Sequence, residues 1–180
     1  MSAINLDFKQ SFFQLFGLAQ SFELNLLLLE QRYRALQLQV HPDQAAHLMD
    51  TQQRIALQQA TFVNEAYQTL RSPLRRARYL LKLNDVDTQE ETNTAMPLDF
   101  LMAQMDWREA VIEAQQQRDV TALDNLSAQM QSETRELETQ VAAKIDGEKD
   151  YLAAAELVRK LRFMEKLAEE IHAAYDEIDN

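Results

Sequence analysis

The sequence predicts an all-α protein. Three observations carry that prediction. Only 2 Gly and 3 Pro occur in 180 residues, too few to turn the chain between many short strands. Gln, Glu, Ala and Leu are abundant, and all four favour helix. Apolar residues recur at steps of three and four in one segment after another, the spacing of one helix face. At 46% hydrophobic residues the chain can build a core, and its length allows one large domain or two small ones.

Four helical signals precede residue 84. "SFFQLFGL" is short and stops at Gly17. From about Leu24 to Val40, the residues Leu29, Tyr33, Leu36 and Val40 form an apolar stripe. From about Asp50 to Leu70, a second stripe holds Ile55, Phe62, Val63, Ala66, Tyr67 and Leu70. Ser72-Pro73 interrupts it, because proline cannot continue a helix and restrains the residue before it. "PLRRARYLLKL" restarts with proline in the first turn, where its missing N–H does no harm.

Residues 84–97 lack an apolar period, are acidic and close on Pro97, so they read as a connection. Three long helices follow. The first covers about Leu98 to Gln117. The second carries Val120, Leu123, Leu126, Met130, Leu137, Val141 and Ile145, a near-heptad series. "DGEKD" at 146–150 reads as a turn. The last helix, about 150–178, carries Leu157, Leu161, Met164, Ala168, Ile171 and Tyr175. Short connections make these three an antiparallel bundle. The expected organisation is a helical module over 1–83, a connection over 84–97 and a three-helix bundle over 98–180.

The net charge of −11 is uneven: residues 1–83 carry +3 and residues 84–180 carry −14. Such asymmetry suggests two modules with different partners. Phosphates would repel the acidic half, and the basic excess of the first half is too small for a nucleic-acid footprint. No cysteine is present, which excludes disulfides, thiolate metal sites and cysteine nucleophiles. The longest apolar run, "LNLLLLE", is too short to span a bilayer. "MSAINLDFKQ" has neither the basic nor the apolar region of a signal peptide. A soluble, cytoplasmic protein without a cofactor is expected, with no membrane or nucleic-acid partner.

Two stretches stand out. "LQLQVHPDQAAH", residues 36–47, ends a helix on His41-Pro42-Asp43. It reads as a plain helix stop, as a metal site from His41, Asp43 and His47, or as a surface read by another protein. The metal reading, which would make the protein a metallohydrolase, lacks the fixed helical spacing that makes His-Glu-x-x-His informative. No G-x-S-x-G elbow supports hydrolase chemistry. The second stretch is the helix from Leu98. At 100° per residue, Phe100, Ala103, Trp107, Ala110, Val111 and Ala114 share a core side, while Met102, Met105, Asp106, Glu109 and Glu113 share the opposite one, flanked by Leu101 and Ile112. Apolar and acidic residues mixed on an outward face fit a partner-binding strip or a solvated acidic face.

His-Pro-Asp between two amphipathic helices is followed by "NEAYQTLRSPLRRARYLL". The arrangement resembles a J-domain, the module that engages DnaK-type chaperones, through His41, Pro42 and Asp43 and then Ala66, Tyr67, Leu70, Ser72, Pro73, Arg76 and Tyr79. "FFQLFGL", "LRSPLRRARYLLKLN", "DFLMAQMDWRE" and "VRKLRFMEKL" extend the likeness to the J-type co-chaperones of bacterial iron–sulfur cluster assembly, the HscB family, over most of residues 12–170. The resemblance implies a J-domain (an antiparallel helical hairpin with extra short helices) joined to a three-helix bundle. It implies a catalytically inert co-chaperone that stimulates the ATPase of an HscA-like chaperone and delivers an IscU-like scaffold to it. The alternative is a general J-type co-chaperone that presents unfolded clients.

By the same resemblance, the chaperone contacts fall to His41, Pro42 and Asp43, with Arg32 and Arg34 on the preceding helix. The proline-restrained loop would present an imidazole and a carboxylate at low entropic cost. This chain departs from the common pattern at Gln44, Gln37 and Gln39, where J-domains often place cations; Arg71, Arg75, Arg76 and Arg78 are candidates to replace that charge or are solvated surface. The scaffold contacts implied are Leu101, Met102, Met105, Asp106, Glu109 and Glu113, plus Phe163, which lies off the stripe of its own helix and is expected at the rim.

Overall fold

The computed structural model describes residues 6–40, 50–90 and 96–179. Among them there are only helices and connections, no strand. The chain separates into two compact units, Met1–Leu80 and Leu81–Asn180.

In the first unit α1 (Phe12–Leu15) is a single turn made possible by its ends. Ser11 and Gln14 form a reciprocal capping box, Gln14 N–H to Ser11 Oγ at 3.2 Å and Ser11 N–H to Gln14 Oε1 at 2.9 Å. Gly17, at φ +60°, closes the other end: its N–H and that of Leu18 donate to the Gln14 and Phe13 carbonyls. α2 (Leu26–Val40) starts on Asn25, whose Oδ1 accepts from Leu28 N–H at 3.0 Å. α3 (Asp50–Arg71) packs against it, with Tyr33 and Tyr67 stacked at 3.9 Å and the Tyr33 hydroxyl donating to Asn64. α4 (Pro73–Leu83) begins on Ser72, whose Oγ accepts from Arg75 N–H. The core collects Phe13, Phe16, Leu29, Val63, Ala66, Leu70 and Leu80, each almost completely buried. Ile55, expected in that stripe, is exposed instead; it lies nearer the start of α3 than the buried run Val63–Leu70.

In the second unit α5 (Leu98–Gln117), α6 (Val120–Ala142) and α7 (Tyr151–Asp179) form the expected bundle. Direction follows from the bonds. Arg108 and Gln115 of α5 reach Glu170 and Glu177 of α7, seven residues on in both helices, so these two run parallel in a constant register. Tyr175, late in α7, meets Asp124, early in α6, so those two are antiparallel. Arg118 takes the left-handed conformation at φ 52° and ends α5, and the next residue, Asp119, caps α6 through Ala122 N–H. The expected turn at 146–150 is corrected at its start: residues Ala143–Glu148 continue from α6 as a π-helix, and the left-handed break comes at Lys149. Ile145, 2% exposed, holds that extra turn on the core.

Leu123, Met130, Val141, Val158, Met164, Leu167 and Ile171 form the centre of the bundle. Three expected core positions face outward: Ala110, Ala168 and Val120 are exposed. Val158 and Leu167, rather than Ala168, complete the buried stripe of α7.

Candidate functional site

The His41-Pro42-Asp43 loop, with His47, lies outside the described residues. What bounds it is described: α2 ends at Val40 and α3 begins at Asp50. On α2, Arg32 and Arg34 are both exposed, and Arg34 pairs with Glu30 one turn earlier at 2.5 Å. Such an exposed pair is weak and leaves the guanidinium free to exchange partners. The α4 arginines are not equivalent to them. Arg76 is only 6% exposed; its Nη1 donates to the Leu70 carbonyl at 2.6 Å, and its guanidinium covers the Phe22 ring at 5.0 Å. It ties the end of α3 to α4 and is no surface charge, a correction to its reading as a candidate docking cation. Arg71 rests over Tyr67.

On α5 the outward strip is present in the geometry. Met102 is 59% exposed, Met105 71%, and Leu101 and Ile112 are also exposed. Asp106, Glu109 and Glu113 stand exposed among them. Leu98, also exposed, extends the strip at its start: Leu98, Met102, Met105, Glu109 and Ile112 follow at steps of four and three. Sequence reasoning takes Leu98 only as the start of the helix, although its spacing from Met102 and Met105 carries the signal. So many large apolar side chains in one row are an unusual surface for a water-facing helix.

Phe163 departs from its expected rim position. It is 8% exposed and sits at the centre of an aromatic cluster: edge-on to Phe100 at 5.8 Å and stacked with Trp107 at 6.3 Å. Arg108 covers its ring at 5.1 Å, and Lys160 covers Phe100 at 5.2 Å. Its angle on α7 points away from the α7 stripe, but α5 brings two rings and a cation over it. Phe163 and Leu101 both line one depression, which borders the strip at Leu101.

Among the described residues no group of His, Asp and Glu is placed to hold a metal ion, and no helix is long and apolar enough to cross a membrane. The described residues thus form two helical units, one built on the α2–α3 hairpin and one presenting an apolar and acidic strip. Residues 96–172 match the family model described as the HSCB C-terminal oligomerisation domain. The chain is 54% identical to a "Co-chaperone protein HscB homolog" of Chromobacterium violaceum, over 97% of this chain and 99% of that one. It resembles the solved structure of the chaperone HscB from Vibrio cholerae, with TM-score 0.83, 36% identity and coverage of 94% and 99% of the two chains. It also resembles human co-chaperone HscB, with TM-score 0.87, 29% identity and coverage of 93% and 83%. The chain belongs to the HscB family, the J-domain co-chaperones of iron–sulfur cluster assembly.

Proposed function

We propose that this protein couples two others. Through His41, Pro42 and Asp43, with Arg32 and Arg34 beside them, it stimulates the ATPase of an HscA-like, DnaK-type chaperone. Through Leu101, Met102, Met105, Asp106, Glu109 and Glu113, with Phe163 beneath, it carries an IscU-like iron–sulfur scaffold to that chaperone in the cytoplasm. The observation that carries the reading is the exposed row of apolar side chains on α5, edged by carboxylates. The apolar side chains supply affinity, while the carboxylates orient a basic patch on the partner.

No residue of the protein takes part in bond making. The loop shifts a chaperone between conformations by binding one of them better. Holding scaffold and chaperone in one complex raises the local scaffold concentration. The test is calorimetry with a folded scaffold, combined with chaperone ATPase assays. His41→Gln retains helicity and scaffold affinity and abolishes stimulation. Met105→Asp weakens scaffold binding and retains basal stimulation. Stimulation that survives His41→Gln rejects the role of the loop, and absence of scaffold binding returns the protein to the general J-type reading.

A further inference from the structure

Residues 84–180 carry a net charge of −14, yet five of their nine cations gather in one place: Arg108 on α5 and Arg159, Lys160, Arg162 and Lys166 on α7. Arg108, Arg159, Arg162 and Lys166 line the depression of about 240 Å³ that has Phe163 and Leu101 on its wall. Among the described residues its one lining carboxylate is Glu90. Three of the four cations have partners inside the unit: Arg108 meets Glu170, Arg162 meets Glu165, and Arg159 donates to the Thr88 carbonyl at 3.1 Å. Arg108 and Arg162 remain about half and a third exposed, and Lys166 is exposed with no ion pair among the described residues.

We infer that this depression receives an acidic side chain of the same scaffold that the α5 strip binds, so that docking uses charges of both signs. The inference rests on the scaffold reading and specifies the partner's chemistry. Complementarity of charge selects the occupant. The exposed Asp106, Glu109 and Glu113 attract a basic group, whereas the depression offers the part-exposed Arg108 and Arg162 and the exposed Lys166, which has no ion pair among the described residues, and so favours an acidic one. A partner carrying a basic and an acidic group at matching separation fits in one orientation only. A nucleic acid is disfavoured by the charge of the rest of the unit.

The experiment compares scaffold binding to the full-length wild type, Lys166→Glu and Lys149→Glu. Lys149 lies in the α6–α7 connection and its reversal changes net charge equally. Lys166→Glu is expected to weaken binding about tenfold at low ionic strength, a difference that shrinks as salt screens the pair, with little effect of Lys149→Glu. Carbodiimide treatment of the wild-type complex is expected to join Lys166 Nζ to a scaffold carboxylate as an amide, read by peptide mass spectrometry. If the wild type binds scaffold, the two variants match each other, and no link forms at Lys166, the acidic contact is wrong and the α5 strip stands. If inorganic phosphate at constant ionic strength shields Lys166 from acylation while no scaffold link forms, the depression is a free-anion site and the inference also fails. If the wild type binds no scaffold, the scaffold reading fails first.

Discussion

Tyr79 meets Phe12 in two ways at once: the rings stack with centroids 4.5 Å apart, and the Phe12 N–H donates to the Tyr79 hydroxyl oxygen at 2.9 Å. Phe12 opens α1, so its N–H is one of the donors a helix cannot satisfy internally. Tyr79 therefore fastens a four-residue helix to α4. Tyr79→Phe keeps the stack and removes the acceptor. The expected loss is about 1 kcal/mol, seen as a lower denaturant midpoint at unchanged slope. Unchanged stability would show that water serves Phe12 equally well.

Arg76 supports a second stability prediction. Its charge is buried between the Leu70 carbonyl and the Phe22 ring. Arg76→Leu removes a charge-assisted hydrogen bond and the ring contact, a loss of about 3 kcal/mol. Arg75→Leu, on the exposed side of the same helix, should stay within about 0.5 kcal/mol of wild type. Thermal melts of the two variants decide it: equal losses would mean that Arg76 is no structural tie.

The Tyr175 hydroxyl donates to Asp124 Oδ1 at 2.6 Å, joining α7 to α6. Burial first, then the hydrogen bond and charge of Asp124, push the Tyr175 pKa up to about 12 from 10.0. A folded-state value above the unfolded one means that the folded protein holds the proton longer. The stabilisation is complete below pH 10 and is lost as pH rises towards 12. Tyr175→Phe should flatten that part of the alkaline decline in melting temperature. Parallel declines in variant and wild type would show that the hydroxyl is not linked to folding.

Local signals made the helices legible in the sequence. Gly17, Ser72-Pro73 and Pro97 act on the backbone beside them, so their effect does not depend on the rest of the fold. Asp146-Gly147 misled for the opposite reason: burial of Ile145 carries the chain through a weak stop. Alanines at 110 and 168 misled because one methyl group carries little information about burial. Periodicity ranks the faces of a single helix, and it placed the α5 strip on that basis. It could not show that Phe100 and Trp107 would cover Phe163, nor that Arg108 would share a depression with Arg159, Arg162 and Lys166, because both depend on the register of α5 against α7.

The strip also has a chemical vulnerability that follows from its composition. Met102 and Met105 are 59% and 71% exposed, whereas Met130 and Met164 are 3% and 1% exposed. Hydrogen peroxide transfers one oxygen atom to a thioether, leaving a polar sulfoxide and water. The exposed pair should therefore be oxidised before Met130 and Met164, as peptide mass spectrometry would read. A sulfoxide is a poor apolar anchor, so scaffold affinity should fall about tenfold, the equivalent of about 1.4 kcal/mol. Methionine sulfoxide reductases should restore it. The double variant Met102→Leu/Met105→Leu keeps apolar side chains of similar size and should bind before and after peroxide alike. Unchanged affinity of wild-type protein carrying both sulfoxides would remove these two side chains from the interface.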